Sequence, residues 1–398
     1  MTVAPRRGSL PAVLLAAIAL LAPAPAAPAA APPSVDARAW LLLDARSGEV
    51  LASHAAGRRL PIASTTKLMT AYVALRELSP GRIVRAAPYA ALYGESLLEL
   101  RPGEPVSVRD LLYGLILRSG NDAARDLALA AAGSVERFVA RMNRHAAALG
   151  LTDTRYANPI GLDDDGNYSS ARDLARLTRR LLRNRTFARI AAARGARLRS
   201  LRPPRTIDTL NDLLNRVPWA TGVKTGHTFG AAYVLVASGR RAGTELISVL
   251  IGAPTETERD RASQRLLEHG FSLYRRRLPV RAGEELAAAS IRYSGGELAL
   301  RAARTVAVGL RPDQRLGLAV RAPREVEGPL RRGATLGRAT VLVDGRRVAA
   351  VPLRTARAVP EAGPLDRARS LLGSGEIPIA LALSAILIGA VMLRRLSR

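Results

Sequence analysis

The chain contains no cysteine. That excludes a thiol nucleophile, cysteine-ligated zinc, iron–sulfur clusters and disulfides. It leaves the compartment open, since an exported protein can do without disulfides. Histidine is scarce, with four in 398 residues. No H-E-x-x-H and no clustered ligand spacing is present, so neither metal nor cofactor is implied. No internal repeat of useful period is visible. Lysine is scarcer still. Of 60 lysines and arginines only two are lysine, Lys67 in "IASTTKLM" and Lys224 in "GVKTGHT". Every other positive charge is written as arginine, so these two positions ask for something besides charge.

What is present suffices for a real core. The chain is 48% hydrophobic and 23% charged, long enough for two modest domains or one large domain with an accessory one. The net charge is +27. One reading is a polyanionic partner such as nucleic acid, anionic lipid or a cell-wall polymer. The other is an arginine-rich composition spread over solvated helix faces. The signals of export at the N-terminus argue against nucleic acid.

The first residues read "MTVAPRRGSLPAVLLAAIALLAPAPAAPAAAPP". Arg6 and Arg7 precede an apolar stretch over 10–21, and small residues with A-x-A sites ending at Ala26 and Ala29 follow. Residues 1–29 are expected to be a secretory signal peptide. At the other end no charge interrupts Ile377 to Leu393, and Arg394, Arg395 and Arg398 follow. The run 377–393 is expected to be a single C-terminal transmembrane helix, with the arginines in the cytoplasm and the body outside. An interfacial helix lying flat is the competing reading, and the missing polar face argues against it.

Between these ends "AWLLLDARSGEVLASHAA" predicts two strands around a turn. "STTKLMTAYVALREL" predicts a helix with Leu68, Met69, Tyr72 and Leu75 on one side. "SVRDLLYGLILRSGNDAARDLALAAAG" reads as helix, tight turn, helix, with Ser107 and Asp110 resembling a capping box. "SVERFVARMNRHAAALG" and "SARDLARLTRRLLRNRTFARI" are further helices, separated by the loop "DTRYANPIGLDDDGNYSS". Three strands in "ATGVKTGHT", "AAYVLVASG" and "TELISVLIGAP" and a closing helix in "ERDRASQRLLEHGFSLYRR" complete this part. From Leu278 to Val359 the texture changes to short alternating segments, with a hairpin turn at Asp344-Gly345. That span, 278–359, is expected to be a separate all-β domain, joined to the apolar run by a linker over 360–376.

Arginine cannot act as a general base, whereas a buried ammonium can be pushed toward neutrality. Ser64 and Lys67 stand at i and i+3 at a helix start, on one face. The free N–H groups of the first turn can bind an oxyanion. A neutral Lys67 amine within reach of Ser64 Oγ can take its proton. S-x-x-K alone is weak, since a surface Ser–Lys pair is common. Two further segments raise it. "RSGNDAA" places Ser119 for proton relay and Asn121 as an amide able to hold Lys67 and a substrate carbonyl. "KTGHT" offers Lys224 and Thr225 for a substrate carboxylate, Gly226 for close backbone approach, and the backbone N–H of His227 as a second oxyanion donor beside that of Ser64. No catalytic role is assigned to the His227 side chain, and His54, His145 and His269 read as surface or packing residues.

S-x-x-K, S-x-N and K-T-G in this order is the signature of the penicillin-recognising serine enzymes. "IASTTKLMTAYVAL", "SGNDAA", "ANPIGLDDDGNYSSARDLARL" and "GVKTGHTFGAAYVLVASG" closely resemble the low-molecular-mass penicillin-binding proteins that are serine D-Ala-D-Ala carboxypeptidases, over about residues 36–275. The resemblance implies an α+β fold of the β-lactamase/penicillin-binding transpeptidase type, with an antiparallel sheet flanked by helices and a helical subdomain. It makes Ser64 the acylated nucleophile, Lys67 its base, and Ser119 and Asn121 assistants, with Lys224, Thr225 and Gly226 holding the C-terminal D-Ala. Arg259 in "TERDRAS" falls where the family often places an arginine near the substrate carboxylate, although Arg261 is close by. The implied substrates are peptidoglycan stem peptides ending in D-Ala-D-Ala, with β-lactams as inhibitors. A class A β-lactamase shares the motifs but needs a glutamate to activate the deacylating water, and the Asp163, Asp164 and Asp165 string looks like a solvated turn. A DD-endopeptidase usually lacks the β domain. A non-catalytic wall-binding scaffold would be expected to lose Ser64, Lys67 or Lys224. Spacer and partner platform stay equally open for the β domain, and the oligomeric state is not set.

Overall fold

The computed structural model describes residues 31–367. They form two compact units that divide between Tyr274 and Arg275. In the first, β1 (Ala39–Asp44) and β2 (Val50–His54) make the expected hairpin. Asp44 Oδ1 accepts from the N–H of Arg46 and of Ser47, each at 2.8 Å, which sets the turn. β3 (Ala220–Thr228), β4 (Ala232–Arg241) and β5 (Thr244–Ala253) complete an antiparallel sheet in the order β2-β1-β5-β4-β3. The strand carrying "KTGHT" is therefore an edge.

Helices cover both faces of this sheet. Leu41 and Leu43 of β1 join the large core built on α1 (Lys67–Glu77), α2 (Val108–Leu117), α3 (Asn121–Ala132), α4 (Val135–Ala148) and α5 (Ala171–Leu182). Leu42 faces the other way, against Leu267 and Phe271 of α6 (Glu256–Ser272). Burial on both faces explains the unbroken apolar run "AWLLL". α1 departs from its expected one-sided stripe. It is buried all round from Lys67 to Ala74, because it packs among α2, α3, α4 and α5.

Two local readings also change. Ser107 caps α2, its Oγ accepting from Asp110 N at 3.1 Å, but the Asp110 carboxylate does not return to Ser107. It accepts from Ser200 N and Oγ, and Ser200 Oγ accepts from Ser107 N at 2.9 Å, so a residue distant in sequence closes the cap. The helix expected through "SARDLARLTRRLLRNRTFARI" is two, broken at Asn184. Its Oδ1 accepts from Thr186 N at 2.9 Å and Phe187 N at 3.1 Å, starting a new helix at Arg185–Ala191.

The second unit is all-β in its strands. Six form one sheet, in the spatial order Leu316–Arg321, Thr335–Val343, Arg346–Thr355, Glu297–Ala302, Glu285–Ile291, Glu325–Val326. Arg275–Val280 and Val306–Leu310 form a separate pair. Asp344 and Gly345 carry φ of +49° and +74° and turn the expected hairpin. Leu298, Leu300, Val341, Val351 and Leu353 fill its core. Among the described residues no helix is long and apolar enough to cross a membrane. The expected signal peptide 1–29 and membrane run 377–393 lie outside the described residues, as does most of the 360–376 linker.

Candidate active site

Ser64 lies in a short 3₁₀ turn, Ala63–Thr66, that feeds directly into α1 at Lys67. In such a turn residues at i and i+3 eclipse one another. Lys67 Nζ accordingly sits 2.9 Å from Ser64 Oγ. The amine also donates to the carbonyl oxygen of Ile160 at 2.5 Å and is completely buried. No carboxylate pairs with it among the described residues. Burial, and then the charge of Lys224, hold its pKa well below the ordinary lysine value, while Glu95 and Asp122 oppose that shift. The backbone N–H of Ser64 has no acceptor within the described chain, as expected of a helix's first turn.

The loop "ANPIG" aims the Ile160 carbonyl. Asn158 Oδ1 accepts from Gly161 N at 2.6 Å and Ile160 N at 3.2 Å, an Asx-type turn. Thr70 Oγ1 donates to Pro159 O at 2.6 Å, and Asn167 Nδ2 to Thr66 Oγ1 at 3.1 Å, so α1 and the loop grip each other. Gly161 has φ +93°, and a Cβ there would lie 2.1 Å from Ala63 O. The turn chemistry of this loop is legible in sequence. Its role as the lysine's second partner is not, because the partner is a backbone carbonyl.

Ser119 occupies the turn between α2 and α3 with φ +59°, a left-handed conformation uncommon outside glycine. It is buried and makes no hydrogen bond to Ser64 or Lys67. Asn121 opens α3, also buried. It does not hold Lys67, as the sequence led us to expect. Its Nδ2 donates to Glu95 Oε2 at 2.7 Å and its N–H to Ser96 O at 2.8 Å. The neighbouring Asp122 accepts from Leu98 N at 2.8 Å and Leu100 N at 3.0 Å. A strap over residues 95–100 is thus bound to the start of α3. Glu95 also accepts from Tyr89 OH and from Leu92 N at 3.0 Å. Burial alone would raise its carboxyl pKa, but the hydrogen bonds from Asn121, Tyr89 and Leu92 outweigh that and lower it. Glu95, Tyr89 and Asp122 were missed in sequence; only the proximity of Asp122 to S-x-N could have pointed to it.

β3 supplies the other wall. Lys224 is 1% exposed, and its Nζ donates to Thr225 O at 2.8 Å. Burial, and then the charge of Arg259, bring its pKa down to about 7. Thr225 is buried beside it. Gly226 serves the chain itself: a Cβ there would lie 3.0 Å from both Ala63 Cβ and Ser64 N, so glycine lets this strand close on the nucleophile turn without displacing it. The exposed His227 ring lies against Tyr233, centroids 4.2 Å apart. Arg259, in the first turn of α6, is 2% exposed; its Nε donates to Asp260 Oδ1 and its Nη2 to Glu256 Oε1, each at 2.8 Å. Arg261 is exposed and pairs with Glu258, so Arg259 is the one whose charge reaches Lys224.

Asp163, Asp164 and Asp165 are exposed in a loop, in keeping with a solvated turn, and the turn has local partners. Asp163 Oδ1 accepts from Thr228 Oγ1 at 2.6 Å and its Oδ2 from Gly230 N at 2.9 Å, bracing the β3–β4 hairpin. Asp163 is thus an exposed residue tied to a hairpin. Asp164 accepts from Gly166 N at 2.7 Å and shapes the loop.

A nucleophile with an unpaired buried amine, an S-x-N turn and a K-T-G edge strand converge here. Comparison with known proteins agrees. A family profile described as D-alanyl-D-alanine carboxypeptidase, peptidase S11, matches residues 26–255. The D-alanyl-D-alanine carboxypeptidase DacC of Escherichia coli is 34% identical over 84% of this chain and 87% of that protein. DacF of Bacillus subtilis is 29% identical over 85% and 90%. Among solved structures, penicillin binding protein 5 from Haemophilus influenzae superposes with a TM-score of 0.59 at 30% identity, covering 83% of this chain and all of that one. The Streptomyces K15 DD-transpeptidase superposes with a TM-score of 0.57 at 31% identity, over 61% of this chain.

Proposed function

The chain belongs to the peptidase S11 family of D-alanyl-D-alanine carboxypeptidases, and from that premise we propose that its acyl-enzyme forms on Ser64. It is a serine-type D-Ala-D-Ala carboxypeptidase of the penicillin-binding α+β fold, and it removes the terminal D-alanine of peptidoglycan stem peptides. The observation that carries the assignment of Ser64 is the 2.9 Å approach of Lys67 Nζ, a buried amine with no carboxylate partner among the described residues.

Lys224 and Thr225 hold the terminal carboxylate, with the Arg259 charge behind them. The carbonyl of the penultimate D-Ala lies against the N–H groups of Ser64 and His227, which take the developing oxyanion. Lys67 accepts the hydroxyl proton as Oγ bonds to the carbonyl carbon. The C–N bond to the terminal D-Ala then breaks, and the departing nitrogen is protonated through Ser119. Water adds to the ester and releases Ser64. One N–H of Asn121 remains beyond the one given to Glu95, and it binds the peptide carbonyl upstream. β-Lactams present the same carbonyl and carboxylate and acylate the same oxygen.

Labelled penicillin, peptide mass spectrometry and a D-alanine release assay test this together. The expected result is an adduct on Ser64, lost in Ser64→Ala, with D-alanine released from a pentapeptide. An adduct without release points to the endopeptidase reading. No adduct removes Ser64 as nucleophile and leaves the scaffold reading.

The proposal includes a location at the cell membrane. The signal peptide 1–29 is removed, the run 377–393 spans the membrane, and both units stay on the extracytoplasmic side. Support comes from the uncharged run and the arginines after it. Protease added to intact spheroplasts should digest both units; full protection would refute this topology.

A further inference from the structure

One face of the second unit's six-stranded sheet carries four arginines that make no ion pair or side-chain hydrogen bond among the described residues. Leu300, Ala302, Ala339, Val351 and Leu353 point into the core, so the residues alternating with them face solvent. There Arg321 lies directly opposite Arg338, and Arg301 directly opposite Arg354. Arg338 also pairs with Pro352, two positions before Arg354 on one strand, so the two pairs adjoin across four neighbouring strands. All four side chains are exposed. None makes an ion pair or side-chain hydrogen bond among the described residues, even though Glu285 is opposite Arg301. Other arginines of this unit do find partners: Arg304 donates to Ala350 O and Arg357 to Glu297 O.

Like charges directly opposite on paired strands destabilise a sheet. Two such pairs side by side bring no return inside the unit. Strands stand about 4.8 Å apart, so four permanently charged guanidiniums form a spread array that suits many phosphates better than a single anion. Among the described residues no large apolar side chain is exposed on this face; those exposed elsewhere in the unit are Leu278 and Leu365. The array therefore adsorbs by charge and does not insert. The unit's last strand ends at Thr355 and the uncharged run begins at Ile377, so this unit is the one joined directly to the segment read as membrane-spanning.

We propose that this arginine face docks on the anionic headgroups of the membrane. The choice of lipid over other polyanions rests on the anchoring reading above. The full chain is partitioned onto vesicles of phosphatidylcholine alone and of phosphatidylcholine mixed with phosphatidylglycerol, with R301Q/R321Q/R338Q/R354Q beside it. D-alanine release from a soluble peptide verifies that the variant is folded. With the two vesicle types in competition, the preference for mixed over neutral vesicles is expected to fall on the order of a hundredfold in the variant at low salt, with entry into neutral vesicles alone unaffected. An undiminished preference for mixed vesicles overturns the proposal. So does an equal loss in R109Q/R144Q/R197Q/R241Q, which removes exposed arginines of the first unit. Loss of binding to soluble poly(glycerol phosphate) but not to vesicles also overturns it and names a wall polymer instead. Failure of the wild-type chain to enter neutral vesicles refutes the anchor separately.

Discussion

Lys67 Nζ is held between Ser64 Oγ at 2.9 Å and the Ile160 carbonyl at 2.5 Å. One contact makes the amine useful and the other keeps it in place. A base at this position must lose its proton, and guanidinium does not. Lys67→Arg keeps the charge and should lower the rate of penicillin acylation by about 10²–10⁴-fold, the usual contribution of a general base. Stopped-flow acylation measures it. A rate within a few-fold of wild type would show that charge alone suffices.

The two lysines should give kcat/KM a bell-shaped pH profile. Lys67 must be neutral, so activity rises as pH increases through its lowered pKa. Lys224 must be protonated to hold the carboxylate, so activity falls as pH rises through about 7. Lys224→Arg cannot titrate in this range and should lose the alkaline limb. Stability carries the same signature. Both lysines hold their proton less tightly folded than unfolded, so the unfolded chain binds more protons and stability increases with pH from about 7 toward the unfolded lysine value. Thermal melts of Lys224→Met should lack part of that increase.

Glu95 separates position from charge. Glu95→Ala frees the Asn121 amide and should lower kcat/KM about tenfold or more, the loss of a hydrogen bond to a charged group. Glu95→Gln keeps an acceptor for Asn121 but removes the negative charge that raises the Lys67 pKa. Its kcat/KM should stay nearer wild type while the acid limb moves to lower pH. A strap with a purely structural role would leave that limb unmoved in both.

Gly161→Ala places a Cβ 2.1 Å from Ala63 O on a backbone with φ +93°. It should destabilise the chain by about 3 kcal/mol or more, combining overpacking with backbone strain. Gly226→Ala meets Ala63 Cβ and Ser64 N at 3.0 Å, without the unfavourable φ. It should fold with a smaller loss and a displaced nucleophile, so acylation falls more than the melting temperature. Calorimetry beside acylation kinetics distinguishes the two; equal effects on both measures in Gly226→Ala would contradict this division.

Much of this was legible in the residues themselves. A lysine kept where the chain otherwise writes arginine marked Lys67 and Lys224, since the need for a titratable amine is a property of residue type. S-x-x-K spacing, the Ser107 cap and the Asp344-Gly345 turn are local, and local geometry follows from short-range sterics and hydrogen bonds. The tertiary structure decided what meets what across the chain. It spent Asn121 on Glu95 and not on Lys67, made the exposed Asp163 a brace for the K-T-G hairpin, and set Gly226 tight against the nucleophile turn. It also chose the Ile160 carbonyl as the second hold on Lys67. A backbone carbonyl looks the same at every residue, so only the packing of the loop against α1 could select it.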